Sequence, residues 1–163
     1  VAQLLITGED VENETRHSNF SNTLARLMDL DAIPIINEND TVATKEIVIG
    51  DNDTLAAIVA KSVHADKLVL LSDIDGLYTA DPHKNPSATL INHISSITDD
   101  ILALGGCSAG TQGTGGMVTK LQAARICLDS GCAMVIANGN RPENLYDILD
   151  GKPVGTLFGE VTL

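Results

Sequence analysis

The run Lys67-Leu-Val-Leu-Leu71 is almost unbroken apolar sequence, the pattern of a strand covered on both faces in a parallel sheet. Ala133-Met-Val-Ile-Ala137 is a second such run. Parallel neighbours need crossover connections, so these strands demand helices between them and make the chain α/β. Helical spacing supplies the helices. Phe20, Leu24, Leu27 and Met28 predict one over 19–30, and Leu55, Ile58, Val59, Ser62 and Val63 form the stripe of another over 51–63. A third is predicted over 118–130, with Met117, Leu121, Ala124 and Leu128 as its core face and Gly131 as its stop. Residues 1–6 and 32–36 read as further strands, 99–104 as a short helix ended by Gly105-Gly106, and Pro142 as the start of a last helix. The β-branched residues of 41–49 suggest a hairpin or extended excursion, and the prolines and polar residues of 76–90 an ordered one.

Composition narrows the function classes. With 163 residues and 44% hydrophobic content the chain is long enough for one domain, and scarce aromatics make its core aliphatic. Twenty-two acidic against ten basic residues give a net charge of -12, which opposes a broad nucleic-acid interface or adsorption to anionic lipid. No apolar run approaches the roughly 20 residues of a membrane span, and no basic-then-apolar leader opens the chain. A cytoplasmic protein is the expectation. Cys107, Cys127 and Cys132 form no CxxC pair and read as reduced thiols, and His17, His64, His83 and His93 lack metal-ligand spacing.

Three strands end in polar clusters: Asn37-Glu-Asn-Asp40, Ser72-Asp73 and Asn138-Gly-Asn140. Ligands in open α/β sheets bind beyond the carboxyl ends of strands, so the clusters would share a crevice. For any one of them turn chemistry is the better explanation, and only the convergence of several favours a site.

Two helix starts add chemistry. In Gly113-Thr-Gly-Gly-Met-Val-Thr-Lys120, bare glycine backbone and a helix N-terminus suit a phosphate, and so does the cation. Lys120 in a first helical turn opposes the macrodipole by about 0.3–1 kcal/mol, a penalty an anion would reverse. The segment is neither a Walker A motif nor GxGxxG, and a surface turn remains the plain alternative. In Gly50-Asp-Asn-Asp53 one residue suffices as an N-cap. The surplus polar groups suit a pocket that orients an amino group, a metal or a lysine, with Asp40 as a further carboxylate. Asp75-Gly76 reads as a turn.

Ile35-Ile-Asn-Glu-Asn-Asp40, Gly50-Asp-Asn-Asp53, Leu71-Ser-Asp73 with Gly76-Leu-Tyr-Thr79, and the segment ending at Lys120 occur together, in an order that resembles the glutamate 5-kinases of the amino-acid kinase family. Val154-Gly-Thr-Leu-Phe158 resembles the end of their kinase domain, so the likeness covers essentially the whole chain. It implies a partial amino-acid kinase fold, a three-layer α-β-α sandwich with a mainly parallel central sheet. It also implies ATP-dependent phosphorylation of the L-glutamate side-chain carboxylate, the first step of proline biosynthesis. On this mapping Asp40 and Asn52 hold glutamate with Asn37 nearby. Ser72 and Asp73 contact the nucleotide, and Thr114, Gly115, Gly116, Met117, Val118, Thr119 and Lys120 wrap its phosphates. Lys120 stabilises charge in transfer, and Asp53 organises the catalytic lysines. Magnesium is expected through ATP, with no protein ligand identified.

The resemblance also implies a homo-oligomer and proline as a feedback inhibitor. Relative to that family the chain reads as the C-terminal portion of a single kinase domain, without the strand that carries a second catalytic lysine and without a PUA domain. The 163 residues alone are therefore expected to be inactive or very weakly active. Two other readings stay open: an amino-acid kinase acting on another carboxylate, carbamate or phosphate acceptor, and a non-catalytic regulatory module.

Overall fold

A computed structural model of the chain describes residues 1–43, 49–106 and 116–160. The elements begin with strand β1 (Ala2–Ile6), helices α1 (Gly8–Glu12) and α2 (Glu14–Asp29), and strand β2 (Pro34–Glu38). Helix α3 (Asn52–Ser62) leads to strand β3 (Lys67–Ser72), short strand β4 (His93–Ile94) and helix α4 (Asp99–Leu104). Helix α5 (Met117–Asp129), strand β5 (Ala133–Asn138), helix α6 (Asn144–Leu149) and strand β6 (Thr156–Phe158) complete the order.

The two apolar runs pair with each other. β3 and β5 are parallel, from Lys67 opposite Ala133 to Ser72 opposite Asn138. β6 continues this sheet antiparallel to β5, and β4 follows parallel to β6, giving the order β3-β5-β6-β4. β1 and β2 form a separate parallel pair, Ala2 opposite Pro34. The mainly parallel sheet is thus in two pieces. Their facing edges, β2 and β3, border a slot of about 390 Å³ roofed by Leu55, Ala56, Val59 and Ala60 of α3.

Layering follows from which side chains are buried. On one face of the larger sheet, Ala57 and Ala60 of α3 join Leu121, Ala123, Ala124 and Cys127 of α5 over Leu70, Met134, Ile136 and Phe158. On the other face, Ile148 of α6 packs with Val135 and Ala137. Phe20 and Leu24 of α2 close a smaller cluster with Ile6 and Leu55. This is the three-layer α-β-α arrangement. Alanines let α3 and α5 lie directly against each other, so each helix buries two sides. The predicted α5 face of Met117, Leu121, Ala124 and Leu128 is the one in the core, but the α3 stripe is only partly so: Leu55, Val59 and Val63 pack inward, Ala57 and Ala60 are covered as well, and Ile58 and Ser62 line an open cavity with His17.

Helix starts are capped locally. Asn13 accepts from Arg16 N at 3.1 Å, so α2 begins well before the predicted position 19. Asp51 accepts from both Thr54 N and Thr54 Oγ1 at 2.8 Å, which starts α3. The 76–90 segment is ordered by an isolated bridge between Tyr78 and Leu90. Buried Thr156 ties it to β6, accepting from Leu77 N at 2.8 Å and donating to Ile91 O at 2.6 Å. Most of the 41–49 excursion lies outside the described residues.

Candidate functional site

The packing of α3 on α5 brings the first turns of two helices together at the carboxyl ends of the strands. Gly116 caps α5 at φ +75°, a left-handed conformation suited to glycine, and no atom crowds the space a Cβ would take. Backbone geometry, rather than room, selects glycine there. Lys120 follows in the first turn, and its Nζ donates to Asp53 Oδ2 of α3 at 3.0 Å. The pair is mostly enclosed, with side chains 14% and 23% exposed. Thr119, 3% exposed, donates its hydroxyl to the same Oδ2 at 2.7 Å. The anion that offsets the macrodipole penalty on Lys120 is therefore a carboxylate of the neighbouring helix. Asp53 is doubly favoured, by two donors and by its own place in the first turn of α3.

Asn37, Asn52 and Asp40 sit on β2, the start of α3 and the turn after β2. Asn37, at the carboxyl end of β2, and Asn52, first residue of α3, are both exposed and line the slot between the sheets. Asp40 is exposed on the turn after β2, whose backbone closes through Val42 N and Ala43 N to Asn39 O. Glu38 accepts from Ile49 N at 2.8 Å and fastens the return of the excursion to β2.

On the other side, Ser72 ends β3 opposite Asn138 of β5. Its hydroxyl donates to Asp73 Oδ1 at 3.1 Å, and its carbonyl accepts from Gly139 N at 2.7 Å. The Asp75 carboxylate, read from sequence as turn chemistry, links strand ends: it accepts from Asn138 Nδ2 at 2.9 Å and from Tyr78 OH at 3.0 Å. Met117 packs against the main core and Val118 is half-buried. Thr114 and Gly115 lie outside the described residues.

The carboxylate bond of Thr119 had no signal in the sequence, because it depends on how two helices cross. A larger cavity, of about 660 Å³, sits at the opposite ends of α3 and α5, lined by Lys61, Ser62, His64 and Ser130, away from these groups. Burial pushes the Cys127 thiol up to about 12, so it is inert at neutral pH. Among the described residues no helix is long and apolar enough to cross a membrane.

The starts of two helices thus meet at one mostly enclosed Asp-Lys pair, within an α/β fold whose strands end in polar residues. The model of the amino acid kinase family matches residues 1–138, and the chain belongs to that family. Within it, the similarity is to glutamate 5-kinases. The chain is 59% identical to that of Rhodospirillum rubrum over 139 residues, 85% of this chain and 37% of that one. It is 49% identical to that of Clostridium tetani over 161 residues, 99% of this chain and 60% of the relative. Thus it spans between about a third and three fifths of the length of these relatives. Among solved structures, the UMP kinase from Bacillus anthracis superposes with a TM-score of 0.63 at 18% identity, over 87% of this chain and 52% of that one. That likeness supports the shared fold.

Proposed function

We propose that the full-length protein transfers the γ-phosphoryl group of ATP to the side-chain carboxylate of L-glutamate, giving glutamyl 5-phosphate for proline biosynthesis. The observation that carries this is the enclosed Asp53–Lys120 pair, joined at 3.0 Å across two helix starts in a chain 59% identical to a glutamate 5-kinase. An ionised carboxylate needs no general base. Catalysis then rests on alignment and on neutralising repulsion between anions.

In this reading Asp40 and Asn52 bind glutamate with Asn37 beside them. Ser72 and Asp73 meet the nucleotide at the end of β3, and residues 114–120 wrap the phosphates. Lys120 neutralises charge on the group in transfer, and Asp53 holds it in place. Both bonds to Asp53 fall on Oδ2, so Oδ1 is the oxygen a second lysine would take. Magnesium belongs to the substrate as MgATP, held through its phosphates.

The slot between β2 and β3 supports reading residues 1–163 as the C-terminal portion of one kinase domain, whose sheet is completed by polypeptide outside these residues. On that reading the 163 residues alone turn over little or no glutamate. Ordinary kinase rates from them would overturn it. A homo-oligomer, proline inhibition and a cytoplasmic location belong to the same proposal.

The test is an acceptor panel on the full-length protein with MgATP, trapping acyl phosphate as the hydroxamate. Glutamate should be turned over in preference to carbamate, UMP and N-acetylglutamate. Turnover of another acceptor with glutamate inert would refute the assignment.

A further inference from the structure

We propose that the Thr119 hydroxyl is a positioning group: it fixes the Asp53 carboxylate so that Lys120 is held at the point of phosphoryl transfer. The inference rests on the kinase reading above and concerns the side chain alone, leaving the backbone of residues 116–120 to the phosphates.

Thr119 and Lys120 are consecutive on α5, and consecutive helical residues point about 100° apart. They nevertheless meet at one oxygen, Asp53 Oδ2, at 2.7 and 3.0 Å, because the first turn of α3 lies against that of α5. A lysine tip on four methylenes cannot orient a carboxylate by itself. A threonine can. Its β-branched side chain has few χ1 choices in a helix, and its Oγ1 also lies 3.0 Å from Gly116 O, the contact to the preceding turn that selects one of them. The hydroxyl has one proton for two acceptors. The shorter arm, to the ionised carboxylate, is the stronger of a three-centre bond. Thr119 is 3% exposed, so its hydroxyl is turned away from any ligand in the crevice. Its effect must therefore pass through Asp53 to Lys120.

Packing and positioning make opposite predictions for two substitutions. Thr119→Val keeps the shape and removes the hydroxyl, whereas Thr119→Ser keeps the hydroxyl and removes a buried methyl. In the full-length protein, Thr119→Val should lower kcat about tenfold or more, as misplacement of a reacting group does, while the KM for ATP stays within about twofold. Thr119→Ser should restore most of the rate. A slow Thr119→Ser beside a normal Thr119→Val would show packing alone. A raised ATP KM with kcat intact in Thr119→Val would show a nucleotide contact. Either result overturns the proposal.

A second readout needs no turnover. In lysine-selective 15N NMR the Lys120 ammonium resonance should be visible in wild type and Thr119→Ser and be broadened or shifted in Thr119→Val. An unchanged resonance in Thr119→Val overturns the inference. If wild type does not phosphorylate glutamate, the functional reading fails by itself and this spectrum still decides the role of Thr119. Should Thr119→Val not fold, Thr119→Ala is read in its place.

Discussion

Replacing Asp53 with alanine withdraws one carboxylate from two donors at once. At 3.0 Å, with an effective dielectric of about 20, the gross attraction between Lys120 and Asp53 is about 5.5 kcal/mol. Desolvation removes much of that. The side chains are 14% and 23% exposed, so the pair is neither a surface ion pair worth about 0–1 kcal/mol nor a fully buried one. Hydrogen bonds to charged groups contribute about 1.5–3 kcal/mol each, and Lys120 left alone in a first turn costs about 0.3–1 kcal/mol more. Allowing for water reaching the freed ammonium, Asp53→Ala should destabilise the protein by about 2–4 kcal/mol. Lys120→Met should cost less, about 1–2 kcal/mol, because Asp53 keeps Thr119 and its favourable place in α3. The Asp51 cap of α3 survives both changes. Urea unfolding of wild type, both single variants and the double variant, followed by circular dichroism, yields the coupling energy directly. About 1.5–3 kcal/mol is expected, declining only modestly in high salt. A coupling below about 0.5 kcal/mol, the ordinary additivity error, would refute the claim that this pair joins the two helices.

Gly155 tests the close approach of the β6 lead-in to β5. It sits at φ +71°, and a Cβ there would lie 2.0 Å from Ile136 O, so Gly155→Ala should cost about 2–5 kcal/mol in chemical denaturation. Cys127 is fully buried and its thiol is pushed by burial up to about 12, against about 8.5 unfolded. Its contribution is complete below the unfolded value and lost as pH climbs toward the folded one, at up to about 1.4 kcal/mol per pH unit. Cys127→Ala should flatten the alkaline decline of stability between those limits; an unchanged slope would count against the burial argument. In the full-length enzyme, Lys120→Ala should chiefly lower kcat, by about a hundredfold or more, and Asp40→Ala should chiefly raise the KM for glutamate. Equal, small effects from both would contradict the assigned roles.

Legibility in the sequence followed the range of the interaction. The runs at 67–71 and 133–137 announced buried parallel strands because every side chain in them is apolar, and they pair with each other in register. Helix α4 was readable to the residue, since Thr98 caps it and Gly105 ends it. Helix α1 was not: it is one short turn held by Asp10, which accepts from Thr7 N at 2.7 Å and pairs with Arg16, a contact with no periodicity to detect. Strands β4 and β6 are two and three residues long, defined by the partners they meet rather than by their own composition. The α5 face read from the sequence is the one the core uses, whereas the α3 stripe was incomplete for a related reason. A 3.6-residue pattern assumes one buried face, and alanines do not look like a core face until two helices use them to approach each other. Within the site, the residue types at 40, 52, 53 and 120 carried a chemical signal. The bond from Thr119 carried none.

The position of Lys120 gains a physical account from this. A cation in a first helical turn is unfavourable by itself, and a carboxylate in one is favourable. Setting the two turns side by side lets the gain at α3 offset the cost at α5, so each helix start stabilises the other. In the proposed reaction an incoming phosphate would find a lysine already ordered, with part of its charge compensated. Full compensation would leave it no charge with which to stabilise the group in transfer. Of the three ammonium N–H groups of Lys120, one donates to Asp53 Oδ2, so two remain for a ligand in the proposed reaction. Thr119 also draws on that oxygen, and so moderates how strongly the carboxylate competes with phosphate for Lys120. A stronger pairing would trap the cation and a weaker one would leave it disordered. Such an arrangement suits the proposed role, in which the lysine is in place before transfer begins and shifts toward the moving group as charge develops on it.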